Sequence, residues 1–256
     1  MRFMENENQQ APRRDYLLSA SILIAAVLVS GSLLYSAGDR KNEASDLGLI
    51  KEQVPSGSQK ASALAISDRD VILGDPNAPV TLIEYGDYQC PYCEKLFSGA
   101  EPLIREQYVK SGKVKMVYRN FVVVDNFVPG SHESADAALA AECAKDQKQF
   151  WTYHDALYRA EGEDQKKNPG SFENNGNLNR DLFVKIARDL KLDPAAFTAC
   201  FDGKKYEGVV SQDGETARAL GVDSTPTSYV NGTQVRGAVP FSDFSAVIDG
   251  FLAQNK

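Results

Sequence analysis

The order of apolar and polar positions divides the chain into a terminal apolar segment and a body of strands and helices. A short apolar run at residues 80–85 predicts a buried strand, and the pattern at 94–108 predicts a helix with a bend at Pro102. Residues 113–118 alternate polar and apolar side chains, as a second strand does, and 181–190 carry an apolar face at helical spacing. The whole pattern predicts the order β-α-β, a block of helices, and then α-β-β-α.

The N-terminal apolar segment determines the expected compartment. Residues 16–37 contain no charged side chain and are long enough to cross a bilayer. Arg13 and Arg14 directly precede this segment, and the positive-inside rule favours a cytoplasmic tail at 1–15 and an exported C-terminal body. We therefore predict a transmembrane helix or signal anchor at 16–37.

A polar segment follows the apolar one. Small and polar residues dominate 38–66, which predicts a flexible linker between the membrane and a folded domain at 67–256. The small residues at Ser36-Ala37-Gly38 leave an alternative open, in which a signal peptide is cleaved and the protein is secreted or periplasmic.

One cysteine motif carries the candidate chemistry. Cys90-Pro91-Tyr92-Cys93 follows the predicted strand and opens the predicted helix, so Cys90 falls at a helix N-terminus. Unpaired amides and the helix dipole stabilise a thiolate there, and the thiolate is the reactive form of cysteine. We predict that Cys90 is the nucleophile and that Cys93, one turn later, is the buried resolving thiol with the higher pKa.

Several motifs, taken with the element order, resemble the DsbA-like branch of the thioredoxin superfamily between Val71 and Gln254. The residues that carry the resemblance are Glu84, Cys90-Pro91-Tyr92-Cys93, Phe150-Trp151, Tyr153-His154-Asp155, Gly221-Val222 and Thr225-Pro226-Thr227. The resemblance implies an α/β, thioredoxin-like fold, in which helices flank a central mixed sheet. It also implies an inserted helical subdomain at about 130–205.

The resemblance further implies roles for residues outside the cysteine motif. Glu84 matches an acid beneath the disulfide that relays a proton to or from Cys93, although an exposed strand carboxylate remains an alternative. Asp87 is expected in a solvated loop. Thr225-Pro226 matches a loop with a cis proline, where Thr225 flanks the Cys90 sulfur and the backbone pairs with a substrate peptide. An ordinary trans turn proline is the alternative.

The two residues inside the motif are expected to tune the pair and to meet the substrate. Pro91 suits the first helical turn, because the amide proton it lacks has no partner there. Pro91-Tyr92 also occurs in glutaredoxin-like proteins, so this dipeptide leaves the redox direction open.

The remaining cysteines, Cys143 and Cys200, bracket the predicted helical block. We predict a structural disulfide between them, which closes a long loop in an oxidising compartment. A second redox-active pair, or regulatory thiols, remain open. Related DsbA-like proteins sometimes carry such a second pair, which supports the pairing but assigns no role.

Other features narrow the class of protein. The net charge of −7 argues against a nucleic-acid binder, and two histidines, His132 and His154, are too few for a His-rich metal site. We assign neither histidine to catalysis and expect no metal and no cofactor. The aromatic residues Phe150, Trp151, Tyr153 and Tyr158 are expected to pack the helical block.

We therefore expect a membrane-anchored, extracytoplasmic thiol:disulfide oxidoreductase that introduces disulfide bonds into exported polypeptides. The resemblance implies a quinone-linked membrane partner that resets the pair. Two alternatives stay open: a reductase or isomerase on the same fold, and a non-catalytic binding or metal-binding module.

Overall fold

A mixed four-stranded sheet lies at the centre of the computed structural model, which describes residues 57–170 and 173–254. The strands are β1 (Val80–Gly86), β2 (Val114–Asn120), β3 (Thr227–Val230) and β4 (Thr233–Arg236). The central strand β1 pairs parallel to β2 and antiparallel to β3, and β4 follows β3 at the edge. Because β1 is covered on both faces, it is a nearly continuous apolar run. The predicted mixed sheet flanked by helices is confirmed.

Helices cover both faces of this sheet and form a further layer beside it. Their bounds are α1 (Gly57–Ala63), α2 (Pro91–Ser98), α3 (Ala100–Ile104), α4 (Glu133–Lys145), α5 (Phe150–Lys167), α6 (Arg180–Asp189), α7 (Pro194–Asp202), α8 (Glu207–Ala219) and α9 (Phe241–Gln254). A π-helical turn, Arg105–Val109, extends α3, and a 3-10 turn, Val124–Phe127, follows β2. Helices α4 to α7 lie where the sequence predicts a helical insertion.

The core has three parts, and their meeting point positions the cysteine motif. One sheet face packs Val80 and Leu82 against α2, α3 and α9. The opposite face packs Ile83 and Tyr85 against α8. The helical insertion has its own apolar cluster, which also contains Cys90. The motif therefore lies where the sheet and the insertion meet.

Residues 57–70 pack against the sheet, and the first ten of them fall in the predicted linker at 38–66. Helix α1 lies inside that range, and Arg119 of β2 donates hydrogen bonds to the carbonyl oxygens of Ala63 (2.7 Å) and Ala65 (2.8 Å). Arg119 also forms a buried ion pair with Asp70. Polar composition suggests a flexible segment, but it does not reveal backbone acceptors that a distant arginine can bind. Residues 57–66 of the predicted linker therefore belong to the described part of the chain, and 38–56 lie outside it.

The helix predicted at 94–108 is broken before Pro102 rather than bent at it. Helix α2 ends at Ser98 and α3 begins at Ala100, with Gly99 between them at φ −104° and ψ −86°. Pro102 lacks an amide proton, and its ring excludes the carbonyl group four residues earlier. The break therefore falls in the turn that precedes the proline.

Within the described ranges, no helix combines the length and apolar character needed to cross a bilayer. The predicted transmembrane segment at 16–37, like the predicted tail at 1–15, lies outside the described residues.

Candidate active site

The cysteine motif opens α2 at the end of the loop that follows β1. Cys90 occupies the N-cap position and Pro91 the first helical turn. The Cys90 carbonyl oxygen accepts hydrogen bonds from the amides of Cys93 (3.0 Å) and Glu94 (3.1 Å). Cys93 is fully buried, Cys90 is 6% exposed, and the Tyr92 side chain is 61% exposed. Both cysteines are free thiols, and only Cys90 keeps any solvent exposure.

The two thiols differ in acidity. A hydrogen bond from the Cys93 thiol lowers the pKa of Cys90 to about 7, despite burial, and interactions with Thr225 and the backbone amides of Tyr92 and Cys93 act in the same direction. Burial raises the pKa of Cys93 well above its usual range. Cys90 therefore ionises much more readily than Cys93, which is protonated at neutral pH. In such a pair, one sulfur can attack a disulfide as a thiolate, and the other can later resolve the mixed disulfide that forms.

The loop before β3 places a backbone group beside the cysteine pair. The peptide bond between Thr225 and Pro226 is cis. The Cys90 thiol donates a hydrogen bond to the carbonyl oxygen of Thr225, with 3.4 Å between sulfur and oxygen. The Pro226 carbonyl oxygen accepts a hydrogen bond from the amide of Gly237. Residues 135 positions apart in the chain therefore meet at the Cys90 sulfur.

Glu84 lies on β1 and is 4% exposed, so the structure excludes the alternative of an exposed strand carboxylate. Burial raises its pKa well above the ordinary value, and the charge of Glu101 adds to the increase. The Glu84 charge also contributes to the high pKa of Cys93. Glu84 is therefore a buried, protonated carboxyl group close enough to interact electrostatically with Cys93.

An aromatic cluster that the sequence analysis only partly identified encloses this region. The Tyr88 hydroxyl hydrogen-bonds to Nδ1 of His154, and the hydroxyls of Tyr118 and Tyr158 bond to each other, at 3.0 Å in both cases. Burial raises the pKa of each tyrosine well above its usual value and lowers that of His154 well below. These groups are neutral, which explains why a Cys93 thiolate finds little stabilisation.

A buried polar network holds the loop before Cys90, and it corrects the expected position of Asp87. Asp87 is 2% exposed, and one of its carboxylate oxygens accepts hydrogen bonds from the amides of Val123 (2.7 Å) and Val124 (2.9 Å). Its expected solvated position is therefore wrong. The fully buried Gln89 donates a hydrogen bond to Ser134 Oγ at 2.9 Å. These contacts tie the active-site loop to the helical insertion.

Cys143 and Cys200 form a disulfide that joins α4 to α7, with an S–S distance of 2.04 Å. Both residues are buried inside the apolar cluster of the insertion. Within the described ranges, no cluster of three or more histidine, cysteine or acidic side chains is arranged to hold a metal ion.

Comparisons with known proteins agree with this geometry. A family described as thioredoxin matches residues 67–250. The chain is 27% identical to the "Probable disulfide bond formation protein D" of Bacillus anthracis, over 82% of this chain and 84% of that protein. The crystal structure of oxidised BdbD from Bacillus subtilis superimposes with a TM-score of 0.62 at 26% identity, covering 72% of this chain and 94% of BdbD.

A further match links the chain to a much longer protein. It is 33% identical to "Na(+)/H(+) antiporter NhaA 3" of Salinispora tropica over 71% of this chain. The chain spans about a quarter of the length of that antiporter, 24%. From the family match, the relatives and the fold, we conclude that this chain belongs to the DsbA-like thiol:disulfide oxidoreductase family of the thioredoxin superfamily.

Proposed function

We propose that the protein is an extracytoplasmic thiol:disulfide oxidoreductase that introduces disulfide bonds into exported polypeptides through Cys90 and Cys93. The observation that carries the proposal is the contrast between Cys90, which is 6% exposed and has a pKa of about 7, and the fully buried Cys93, whose pKa is raised well above its usual value. The likeness to disulfide bond formation protein D and to BdbD supports the oxidising direction. We do not propose transport activity for this chain, because the match covers only 24% of the antiporter's length.

The reaction begins with the Cys90–Cys93 disulfide. A substrate thiolate attacks the Cys90 sulfur, the S–S bond breaks, and the electron pair stays on the Cys93 sulfur, which takes a proton from Glu84. A second substrate thiolate then attacks the substrate sulfur of the mixed disulfide and releases Cys90 as a thiolate. The substrate has gained a disulfide, and the cysteine pair has gained two electrons.

Substrate contact is proposed for Pro91, Tyr92, Thr225 and Pro226. Tyr92 offers an exposed ring next to Cys90. The backbone around Thr225 lies beside the Cys90 sulfur, where an extended peptide can add to it as a strand.

The proposed location is the outer side of the cell membrane. Residues 16–37 would form the anchor, 1–15 the cytoplasmic tail, and 38–66 the linker to the domain at 67–256, with α1 packed against that domain. Cleavage after the apolar segment would instead give a secreted or periplasmic protein. A quinone-linked membrane partner is proposed to reoxidise the pair, and the acidic chain is not expected to bind nucleic acid.

A peptide-oxidation assay tests the proposed function. The oxidised protein is mixed with a peptide that carries two thiols, in a glutathione redox buffer, and formation of the peptide disulfide is followed. The proposal predicts oxidation faster than in the buffer alone. A rate equal to that of the buffer would reject the proposal.

One observation favours a second candidate, a disulfide reductase or isomerase on the same fold. The Cys90 pKa of about 7 equals the value of about 7 typical of thioredoxin rather than the value of about 3.5 typical of DsbA. A reductase accelerates insulin reduction by dithiothreitol and leaves the dithiol peptide unoxidised, so the two assays separate the candidates.

A further inference from the structure

We propose that Glu101 of α3 passes protons between solvent and Glu84, and thereby resets Glu84 after each thiol–disulfide exchange. This inference rests on the proposed function, because it requires Glu84 to exchange a proton with Cys93. Glu101 acts through Glu84 and touches neither cysteine nor substrate, so its role is that of a positioning residue.

The fold brings the two carboxyl groups into one buried region. Val80, Leu82 and Glu84 occupy every second position of β1, so their side chains point to the same sheet face. Val80 and Leu82 pack there in the same cluster as Ala100 and Ile104 of α3. Glu101, next to Ala100, is only 2% exposed. Its charge is, after burial, the largest influence on the pKa of Glu84, and burial raises the pKa of Glu101 itself to about 7.

Glu101 also borders a route to solvent. A surface depression of about 400 Å³ is lined by Glu101, Arg105 and Asp155. The side chain of Arg159, at its edge, is 63% exposed. A proton can therefore reach Glu101 from water without crossing the closely packed Cys93 region.

Arg105 stabilises the ionised form of Glu101, so that this carboxyl group can lose and regain its proton. It forms an ion pair with Glu101, and its Nη1 donates hydrogen bonds to both carboxylate oxygens of Asp155 at 2.9 and 3.1 Å. The ionised Glu101 therefore keeps a cation beside it. The charged and titratable groups around Glu101 are Glu84 from β1, Arg105, Glu106 and Lys110 from its own helical segment, and Asp155 and Arg159 from α5.

The proton steps balance without any further reactant. When Cys93 leaves as a thiolate, Glu84 gives it a proton and becomes a carboxylate. Glu101 then gives its proton to Glu84 and becomes the carboxylate that Arg105 stabilises. Water in the surface depression returns a proton to Glu101. During reoxidation of the pair, the same steps run in reverse and release the Cys93 proton to solvent.

The test compares Glu101→Gln with Glu163→Gln, an exposed glutamate on α5 whose side chain is 70% exposed. Exchange between the oxidised protein and a dithiol peptide is followed by stopped flow from pH 5.5 to 9. Glu101→Gln is expected to slow the exchange about tenfold near neutral pH and to remove the inflection near pH 7. Glu163→Gln is expected to match the wild type, and Glu101→Asp to restore part of the rate and the inflection.

The outcomes separate this inference from the proposed function. If the wild type is active and Glu101→Gln has the same rate and pH profile, the inference is wrong and the proposed function is unaffected. An inactive wild type would overturn both. If Glu101→Gln does not fold, ¹³C NMR of glutamate carboxyls in the wild type decides. The inference predicts that the Glu101 titration moves between the oxidised and reduced protein, and an unmoved titration would overturn it.

Discussion

A Cys93→Ser variant is expected to accumulate as a mixed disulfide after its Cys90 thiolate attacks a peptide disulfide and releases one peptide thiolate, whereas a Cys90→Ser variant is expected to lose exchange altogether. The reason is the different environment of the two sulfurs. Cys90 lies at the start of α2 with a lowered pKa, and Cys93 is fully buried among neutral aromatic side chains. Without the Cys93 thiol, the mixed disulfide between Cys90 and a substrate has no neighbouring thiol to resolve it.

Mass spectrometry and the peptide-oxidation rate measure these effects. Loss of the nucleophile is expected to lower the exchange rate by about 10³-fold or more. The matched control is Cys143→Ala/Cys200→Ala, which removes the other two cysteines and keeps the motif. Wild-type exchange by Cys90→Ser, or a mixed disulfide trapped on Cys93 in that variant, would contradict the assigned order of attack.

Removal of the Cys143–Cys200 disulfide is expected to cost about 4 kcal/mol of unfolding free energy, because the two cysteines are 57 residues apart and the crosslink restricts a long loop in the unfolded chain. The Cys143→Ala/Cys200→Ala variant avoids leaving an unpaired thiol in the apolar cluster of the insertion. Chemical denaturation at constant pH measures the difference from the wild type.

The same double variant also decides between a structural and a redox role for the second pair. A structural disulfide predicts a large loss of stability with peptide oxidation unchanged below the unfolding transition. A Cys90→Ala/Cys93→Ala variant is the stability control, since that pair closes a loop of only a few residues. Unchanged stability in Cys143→Ala/Cys200→Ala, or lost oxidation activity in the folded variant, would contradict the structural role.

Features encoded in neighbouring residues could be predicted from the sequence. The strand before Cys90, the position of Cys90 at a helix start, and the hairpin of β3 and β4 all follow from local patterns. The spacing of Glu84 from Cys90 on a buried strand matches the family pattern, and the side chain is buried in the structure. The resemblance further related the loop at Thr225 to the motif, although the sequence alone contains no distance between them.

Features that depend on packing between distant elements could not be predicted in this way. The sequence predicts a solvated loop position for Asp87, yet the amides of Val123 and Val124, 36 and 37 positions later, donate hydrogen bonds to its buried carboxylate. Glu101 resembles an ordinary helical glutamate until α3 is packed against β1. Composition places Ala63 and Ala65 in a linker. It cannot reveal that an arginine on β2 donates hydrogen bonds to their carbonyl oxygens.

The central claim is that the Cys90–Cys93 pair oxidises protein thiols, and its reduction potential tests that claim most directly. Equilibration with glutathione buffers gives the potential. In the Cys143→Ala/Cys200→Ala variant, only the Cys90–Cys93 pair contributes to the measured thiol–disulfide equilibrium. If the pair donates its disulfide, we expect a potential less negative than about −200 mV, towards the value of about −120 mV found for DsbA. A potential near the thioredoxin value of about −270 mV would contradict it and identify the protein as a reductase.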